Sequence, residues 1–307
     1  MVFFDPTIII LLQLVLPYLA WEMLNILGDS FIYVILLGIA FWCVSKREGK
    51  LAIMLVMFSN FFNILLKYAF RMPRPPASLR QNPEYVADQS YGFPSGATQT
   101  ATTFWGWVTL RVRRWWVAII GVVFIIITAL ARMGLGMHFL GDVIGGIIIG
   151  IIFVTWAYFL VPYLTKYWSQ MREFLQDWLI PIIAIIFFFI YFMAYAVGLP
   201  YFPSENVAIS MGVVLGFSAG LVMEKRHVDF STDVSRNTKV VRAILGIIIA
   251  ILIYYALSAA FSLLPAFPLV HYSTRFIRYT LVGFFGAFII PLLFTYVEKR
   301  GRFTKSS

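Results

Sequence analysis

The sequence predicts an all-α protein, a polytopic bundle of transmembrane helices. Of its 307 residues, 61% are hydrophobic and only 12% are charged, a composition typical of membrane proteins. Apolar runs recur along the whole chain, and ten have about 15 to 25 residues, the length that crosses a hydrocarbon layer of roughly 30 Å as a helix. The ten predicted spans are residues 6–26, 30–44, 51–68, 97–112, 115–132, 139–161, 178–198, 206–224, 241–264 and 277–297.

The first six spans and the last four differ in the chemistry they carry. Residues 1–161 are predicted to form a six-helix membrane core, and residues 162–307 a four-span extension with few polar groups inside its spans. The first span is interrupted by Gln13, Pro17 and Glu22, yet its apolar length favours a spanning helix. Its start lacks the basic region and cleavage site of a signal peptide, so it is predicted to belong to the mature protein.

The net charge of +10 is explained by topology and does not indicate nucleic acid as a partner. Basic residues gather in alternate loops, which ten spans would place on one side of the membrane. The positive-inside rule makes that side cytoplasmic, with both termini on it. These residues are Lys46, Arg47, Lys50, Arg111, Arg113, Arg114, Lys166, Arg172, Lys225, Arg226, Arg236, Lys239, Arg242, Lys299, Arg300, Arg302 and Lys305.

A smaller group of cations falls on the opposite side and needs another explanation. These residues are Lys67, Arg71, Arg74, Arg80, Arg132, Arg275 and Arg278. They fall in three regions, residues 67–95, 132–138 and 265–278. The first region also contains the turn Pro94-Ser95-Gly96, and the second contains His138. Each feature has an ordinary alternative when taken alone, such as an interfacial anchor or a helix start. Their convergence on one membrane face favours a site for an anion.

Three short blocks give this convergence a specific form. Lys67 is followed after six residues by Arg74-Pro75, Pro94-Ser95-Gly96 follows, and Arg132 precedes His138 by six positions and Asp142 by ten. In order and spacing the blocks resemble the type 2 phosphatidic acid phosphatase family of integral membrane lipid phosphatases, over roughly residues 6–161. Residues 1–161 would then be the lipid phosphatase-like core. The sequence departs from the family at Ala97, where the family has histidine, and at Ala131, where it usually has serine.

The resemblance implies a phosphate pocket formed by Lys67, Arg74, Ser95, Gly96 and Arg132. A phosphoryl group in transfer spreads negative charge over its oxygens, so fixed cations suit it. Two arginines can each bind two oxygens. The amides of Ser95 and Gly96 lie at a helix start, where free N–H groups and the positive end of the helix dipole attract anions.

The resemblance also implies which residues carry out the chemistry. His138 is the expected nucleophile, which forms a phosphohistidine, and Asp142, one helical turn later, is expected to orient its ring. The family histidine at the position of Ala97 protonates the leaving oxygen and later activates water, and alanine can do neither. This chain is therefore predicted to be inactive or strongly impaired. A substitution introduced on purpose is favoured over a natural variant, because the other residues with a chemical role are retained.

Several alternatives stay open at this point. The chain could instead bind or transport lipid phosphates without hydrolysis, or transfer phosphate to an alcohol. The partners predicted are a lipid phosphate and membrane lipids, with a homodimer possible through the glycine face of Gly212, Gly216 and Gly220. The membrane is predicted to be a prokaryotic cytoplasmic membrane with the site facing outward, and an endoplasmic reticulum membrane is the alternative.

No cofactor or metal is predicted. Glu84 and Asp88 lie in the long outer loop, but two carboxylates without a third ligand favour a solvated loop over a metal site. The single cysteine, Cys43, excludes a disulfide within the chain. His227 is predicted to be solvated on the cytoplasmic side, and His271 to be an exposed loop residue on the face of the site.

Overall fold

A computed structural model describes residues 2–82, 90–198, 205–264 and 267–300. Throughout these ranges the secondary structure is helical, and they contain no β-strand. The helices are α1 (Thr7–Val15), α2 (Tyr18–Asn25), α3 (Ser30–Ile39), α4 (Lys46–Phe70), α5 (Gly96–Val112), α6 (Trp115–Gly134), α7 (Leu140–Gln170), α8 (Glu173–Ala196), α9 (Glu205–His227), α10 (Arg236–Ser262), α11 (Pro268–Phe284) and α12 (Ile290–Arg300).

The chain forms two compact units, each made of two segments. The first unit comprises Met1–Val34 and Phe58–Leu164, and the second comprises Ile35–Met57 and Thr165–Ser307. Residues 35–57 therefore pack with the C-terminal helices. The division into domains 1–161 and 162–307 stays a prediction.

Eight helices in the described ranges are long and apolar enough to cross a membrane, where the sequence predicted ten spans. The first two predicted spans overlap one candidate, Tyr18–Val44, which includes the 3₁₀ turn Ile26–Gly28 and a π-helical end at Ala40–Val44. Helix α5 has 17 residues and is too short to be counted with the eight. The polytopic all-α class predicted from composition is confirmed.

The first predicted span, residues 6–26, is not one helix. The chain is extended at Leu16 and Pro17, with ψ of 143° and 160°, so α1 and α2 are separate. Proline supplies no backbone N–H and disfavours helical geometry in the residue before it, which accounts for the break. Helix α1 is therefore a short helix of 9 residues, about 13 Å long, and cannot cross a bilayer.

Helix α1 lies at one end of the first unit. The Gln13 side-chain amide donates to the carbonyl oxygens of Leu79 and Gly134, at 2.8 and 3.1 Å, and the Phe4 ring packs edge-on against Phe139. Gly134 and Phe139 flank the turn that carries His138. The prediction that both termini lie on the side opposite the site is therefore wrong for the N-terminal segment.

The helices that carry the site pack unusually close to one another. A methyl group on Gly146 would lie 2.6 Å from the carbonyl oxygen of Ser95, and one on Gly150 would lie 2.6 Å from Cβ of Thr102. Contacts this short exclude any side chain, so glycine allows α7 to touch the backbone of α5 directly. The first turns of α5 and α7 are held together as a result.

In the second unit, the glycine face of α9 is used within the chain. A methyl group on Gly216 would lie 1.8 Å from the carbonyl oxygen of Thr280, and Gly212 similarly faces that of Phe276. Helix α9 therefore packs against α11 through these glycines. The sequence left open whether they serve the chain or a dimer, and the structure answers in favour of the chain.

The position of the N-terminal segment can be tested by cysteine labelling. Cys43 is buried and gives little background, so Asp5→Cys, Ser78→Cys and Arg113→Cys are compared with a membrane-impermeant maleimide on sealed vesicles. Asp5 and Ser78 should react from the same side, because both lie at the end of the first unit where α5 begins. Arg113, at the far end of α5, should react only from the other side. Labelling of Asp5→Cys from the side of Arg113 would contradict the structure.

Candidate phosphate-binding site

Four helix ends of the first unit carry the predicted site residues. Lys67 lies in the last turn of α4 and Arg132 in the last turn of α6. Ser95 immediately precedes α5, and Asp142 lies in the first turn of α7. The structure thus brings all three sequence blocks to one end of this unit. Cationic side chains and two helix N-termini, which also bear positive partial charge, converge there.

The His138 and Asp142 side chains form the expected pair. His138 Nδ1 lies 3.3 Å from Asp142 Oδ2, and both side chains are buried. Asp142 Oδ2 also accepts the backbone N–H of Phe139 at 2.9 Å, which fixes the carboxylate at the helix start. A carboxylate accepts hydrogen bonds, so it favours the ring tautomer with the proton on Nδ1 and the lone pair on Nε2.

Arg74 stabilises the same tautomer from the other side. Its Nη1 lies 3.4 Å from His138 Nε2 and donates to the carbonyl oxygen of Met137 at 3.0 Å. Its Nε and Nη2 donate to the carbonyl and hydroxyl oxygens of Ser90, both at 2.8 Å. The guanidinium is thus held in place beside the nitrogen that carries the lone pair. An anion bound to Arg74 would lie next to that nitrogen.

Lys67 ties the loop before α5 to the site. Its ammonium group donates to the carbonyl oxygen of Gly92 at 3.1 Å and to that of Tyr91. Gly92 lies close to Asp142, since a methyl group on it would be 3.0 Å from both Asp142 Oδ2 and the carbonyl oxygen of Pro73. Only glycine leaves room for the loop to pass this carboxylate.

Ser95 has a different role from the one predicted for its amide. The Ser95 N–H donates to the backbone carbonyl oxygen of Asp142 at 2.9 Å, and its hydroxyl pairs with that of Thr98 at 3.0 Å. In this structure the amide therefore joins α5 to α7 and is not offered to an anion. Gly96 is the first residue of α5, and the role of its amide as a phosphate donor stays a prediction.

Arg132 supports the turn that carries the histidine. Its Nη1 contacts Met137 Sδ at 3.3 Å and its Nη2 contacts the carbonyl oxygen of Gly28 at 3.4 Å. The turn itself needs Gly136, which has φ of +71° and lies against the carbonyl oxygen of Leu79.

The electrostatic environment of His138 favours its neutral form. Burial lowers the pKa of His138 well below its usual value, and the positive charges of Arg74, Lys67 and Arg132 lower it further. A neutral imidazole has a free lone pair, which a protonated ring lacks. The cations that would bind phosphate therefore also keep the ring in its nucleophilic form.

The two alanines that depart from the family pattern differ in setting. Ala97 is half-buried in the first turn of α5, two residues after Ser95, so it lies at the N-terminal end of this helix. Ala131 is fully buried and packs in an apolar cluster with Trp21, Leu135 and Met137. The change at Ala131 is thus a matter of packing, whereas the change at Ala97 lies at the start of α5 beside the pocket residues.

A buried polar network behind the Pro94 turn was missed by the sequence interpretation. The Asn63 side-chain amide donates to the carbonyl oxygen of Pro94 at 3.2 Å and to Gln99 Oε1 at 2.8 Å. Gln99 in turn donates to the backbone and hydroxyl oxygens of Ser59, both at 2.8 Å. The available signal was the spacing of Ser59, Asn63 and Lys67, which places a polar stripe on one face of an apolar helix.

Four further candidate residues were considered from the sequence. Glu84 and Asp88 fall outside the described residues. His227 is exposed at the end of α9, and His271 lies in α11 of the second unit, where its Nε2 is 3.1 Å from Arg275 Nε. His271 was expected in a loop and is helical instead. Within the described ranges, no group of three or more His, Cys, Asp or Glu side chains could hold a metal ion.

The role of Asn63 can be tested with Asn63→Leu. The substitution leaves the Pro94 carbonyl and Gln99 Oε1 without this donor in a buried site, and each loss costs about 1–3 kcal/mol. We expect a lower thermal midpoint in detergent and weaker binding of inorganic phosphate. The control is Asn60→Leu, which removes the 2.7 Å bond from Thr100 one turn earlier on α4. It should lower the midpoint without changing phosphate affinity. Equal phosphate affinity in Asn63→Leu and the parent would contradict this role.

The lowered pKa of His138 predicts a pH effect on stability. Below about pH 6.5, the unfolded chain binds a proton on this histidine that the folded chain does not, so stability falls as pH falls, by up to about 1.4 kcal/mol per unit. Thermal midpoints measured between about pH 7.5 and pH 5.5 should therefore fall more steeply for the parent than for His138→Asn. Parallel slopes would show that His138 titrates normally in the folded protein.

Two parts of the chain match known protein families. Residues 49–166 match the family described as PAP2 superfamily. Residues 208–302 match the family described as PAP2 superfamily phosphatase, transmembrane extension. Together the two matched ranges cover more than half of the chain, and the first contains all eight predicted site residues.

One curated relative is sphingosine-1-phosphate phosphatase 2 of Mus musculus, 25% identical over 205 residues, or 62% of this chain and 55% of the mouse protein. The chain thus spans about half the length of this relative. No solved structure matches. The transmembrane extension and the eight apolar helices identify a multi-pass integral membrane protein. With both parts matched, the chain belongs to the PAP2 superfamily, the type 2 phosphatidic acid phosphatase family that its three sequence blocks resemble.

Proposed function

We propose that the protein is a lipid phosphate phosphatase whose reaction proceeds through a phosphohistidine at His138, and that Ala97 leaves it inactive or strongly impaired. The observation that carries the proposal is the His138 ring, held between Asp142 and Arg74 with both neighbours favouring a lone pair on Nε2. Family membership and the mouse relative support a phosphate ester of a lipid as substrate.

The first step is attack by His138 Nε2 on phosphorus. The nitrogen lone pair forms the N–P bond while the bond to the leaving lipid oxygen breaks and that oxygen takes its electron pair. Arg74, Lys67 and Arg132 stabilise charge on the phosphoryl oxygens. To bind the phosphate, Arg74 exchanges its contact with Nε2 for contacts with the phosphoryl oxygens and retains its bonds to Ser90. As the ring becomes a cation, Asp142 stabilises the proton on Nδ1.

Ala97 affects both halves of the reaction. The leaving lipid alkoxide needs a proton, and the later attack of water on the phosphohistidine needs a base. A methyl group supplies neither. Loss of a general acid–base group costs about 10²- to 10⁴-fold in rate. The proposed result is a site that binds its lipid phosphate and turns it over slowly. No step of the proposed mechanism requires a metal ion.

Ala97 also favours a second candidate function, a protein that binds a lipid phosphate without hydrolysing it. The phosphate-binding side chains are retained, and the group needed for turnover is missing. Transport would require in addition a second state of the site. We place binding without transport second, with phosphotransfer to an alcohol after it. For the phosphatase and for both alternatives, we propose that the site faces away from the cytoplasm. The reason is that the basic loops lie at the other ends of the helices.

Restoring histidine tests the proposed function. Ala97→His should raise phosphate release from sphingosine 1-phosphate or phosphatidate by about 10²- to 10⁴-fold, and chelator should leave the rate unchanged. Ala97→His should also form a phosphohistidine, which is detected as acid-labile phosphate on the protein. His138→Asn in the same background should abolish both this phosphate and the gain in rate. The unsubstituted chain should still bind these lipids. No gain with histidine on any lipid phosphate tested would refute the mechanism. A gain that survives His138→Asn would refute the assigned nucleophile.

A further inference from the structure

An apolar groove lies along the first turns of helix α7. Its volume is about 300 Å3, and it lies wholly within the first unit. Its lining is apolar throughout and consists of Phe3, Phe4, Phe93, Gly141, Ile144, Gly145, Ile148 and Ile149. The residues from α7 recur at intervals of three and four, so they form one face of that helix. From Gly141 to Ile149 this face extends about 12 Å along the helix from its site end.

The groove adjoins the site, because two of its residues are chain neighbours of residues there. Gly141 immediately precedes Asp142, and Phe93 immediately precedes the Pro94 turn. Both walls rest directly on the α7 backbone. A methyl group on Gly141 would lie 2.6 Å from the Phe4 ring, and one on Gly145 would lie 2.2 Å from the Phe93 ring. Glycine at these positions therefore brings two aromatic walls against the helix and shapes the space between them.

We propose that this groove binds the hydrocarbon chain of the lipid phosphate, and that Phe3 and Phe4 of the N-terminal segment form its specificity-determining wall. The inference rests on the proposed function, since the headgroup is taken to bind at His138. A chain that leaves a phosphate held by Arg74 enters the membrane beside Gly141. The groove offers that chain an apolar path along α7 and no polar partner.

Selection in such a groove depends on shape. A lipid chain already lies in an apolar solvent, so its transfer into the groove gains little from removal of water. Two effects can still distinguish one hydrocarbon chain from another. They are close packing against the aromatic rings and the glycine backbone, and exclusion of chains that do not fit. The N-terminal segment thus acts on substrate choice, although it belongs to none of the three sequence blocks.

The occupant is tested first by photolabelling of the unsubstituted protein. The probe is hexadecyl phosphate with a diazirine in its chain, and the competitors are hexadecyl phosphate and hexadecanol. We expect label on Phe3, Phe4, Phe93 or residues 144–149, suppressed by hexadecyl phosphate and retained with hexadecanol. Suppression by hexadecanol to the same extent would show an ordinary lipid-facing surface and overturn the inference. So would phosphate-suppressed label that lies elsewhere.

A matched pair of substitutions tests the groove by filling it. Ile148 and Ile151 are equally exposed, 52% and 53%, but only Ile148 lines the groove. Ile148→Trp should weaken binding of hexadecyl phosphate by about tenfold, because a larger side chain occupies the space. Binding of butyl phosphate, which is too short to reach it, should not change. Ile151→Trp should leave both affinities unchanged.

The outcomes separate this inference from the proposed function. If Ile148→Trp weakens butyl and hexadecyl phosphate equally, or neither, the groove is not the chain site, while the function at His138 stands. If the unsubstituted protein binds neither phosphate, the proposed function fails and the inference fails with it. Thermal midpoints of both variants close to that of the parent show that the comparison concerns folded protein.

Discussion

The structure of the site depends on three contacts made by Asp142. Its carboxylate orients His138 and accepts the Phe139 amide, while its backbone carbonyl accepts the amide of Ser95. One residue thus connects the proposed nucleophile, the start of α7 and the start of α5. Because the residue is fully buried, water does not compete for these bonds. The relative position of the two helix N-termini is therefore fixed where an anion would bind.

Much of this arrangement could be predicted from the sequence, because the spacing of the three blocks reflects helix geometry. Asp142 lies in the first turn of α7 and His138 in the turn just before that helix, so a spacing of four residues brings the two side chains together. Apolar run lengths indicated the membrane class and most helices. Cations that broke the charge bias of the loops indicated which face holds the site. Each of these signals can be read from residue types and their spacing along the chain, without knowledge of contacts between distant residues.

The remainder depended on contacts that residue type does not determine. The Ser95 amide looked available to an anion, but its partner is a carbonyl oxygen 47 positions later in the chain. The N-terminal segment was apolar enough to be read as a span, yet the Pro17 break and the bonds of Gln13 hold α1 at the end of the bundle where the site lies. Asn63 appeared to be an ordinary polar residue until its bond to Pro94 was seen.

Arg74 holds its position before any ligand arrives, since Ser90 and Met137 already accept its hydrogen bonds. A rigid guanidinium loses little conformational freedom on binding, and this favours every phosphate dianion alike. Free orthophosphate carries the same oxygens as the phosphoryl group of a lipid. In the proposed phosphatase, free orthophosphate would therefore compete with the lipid phosphate for this arginine.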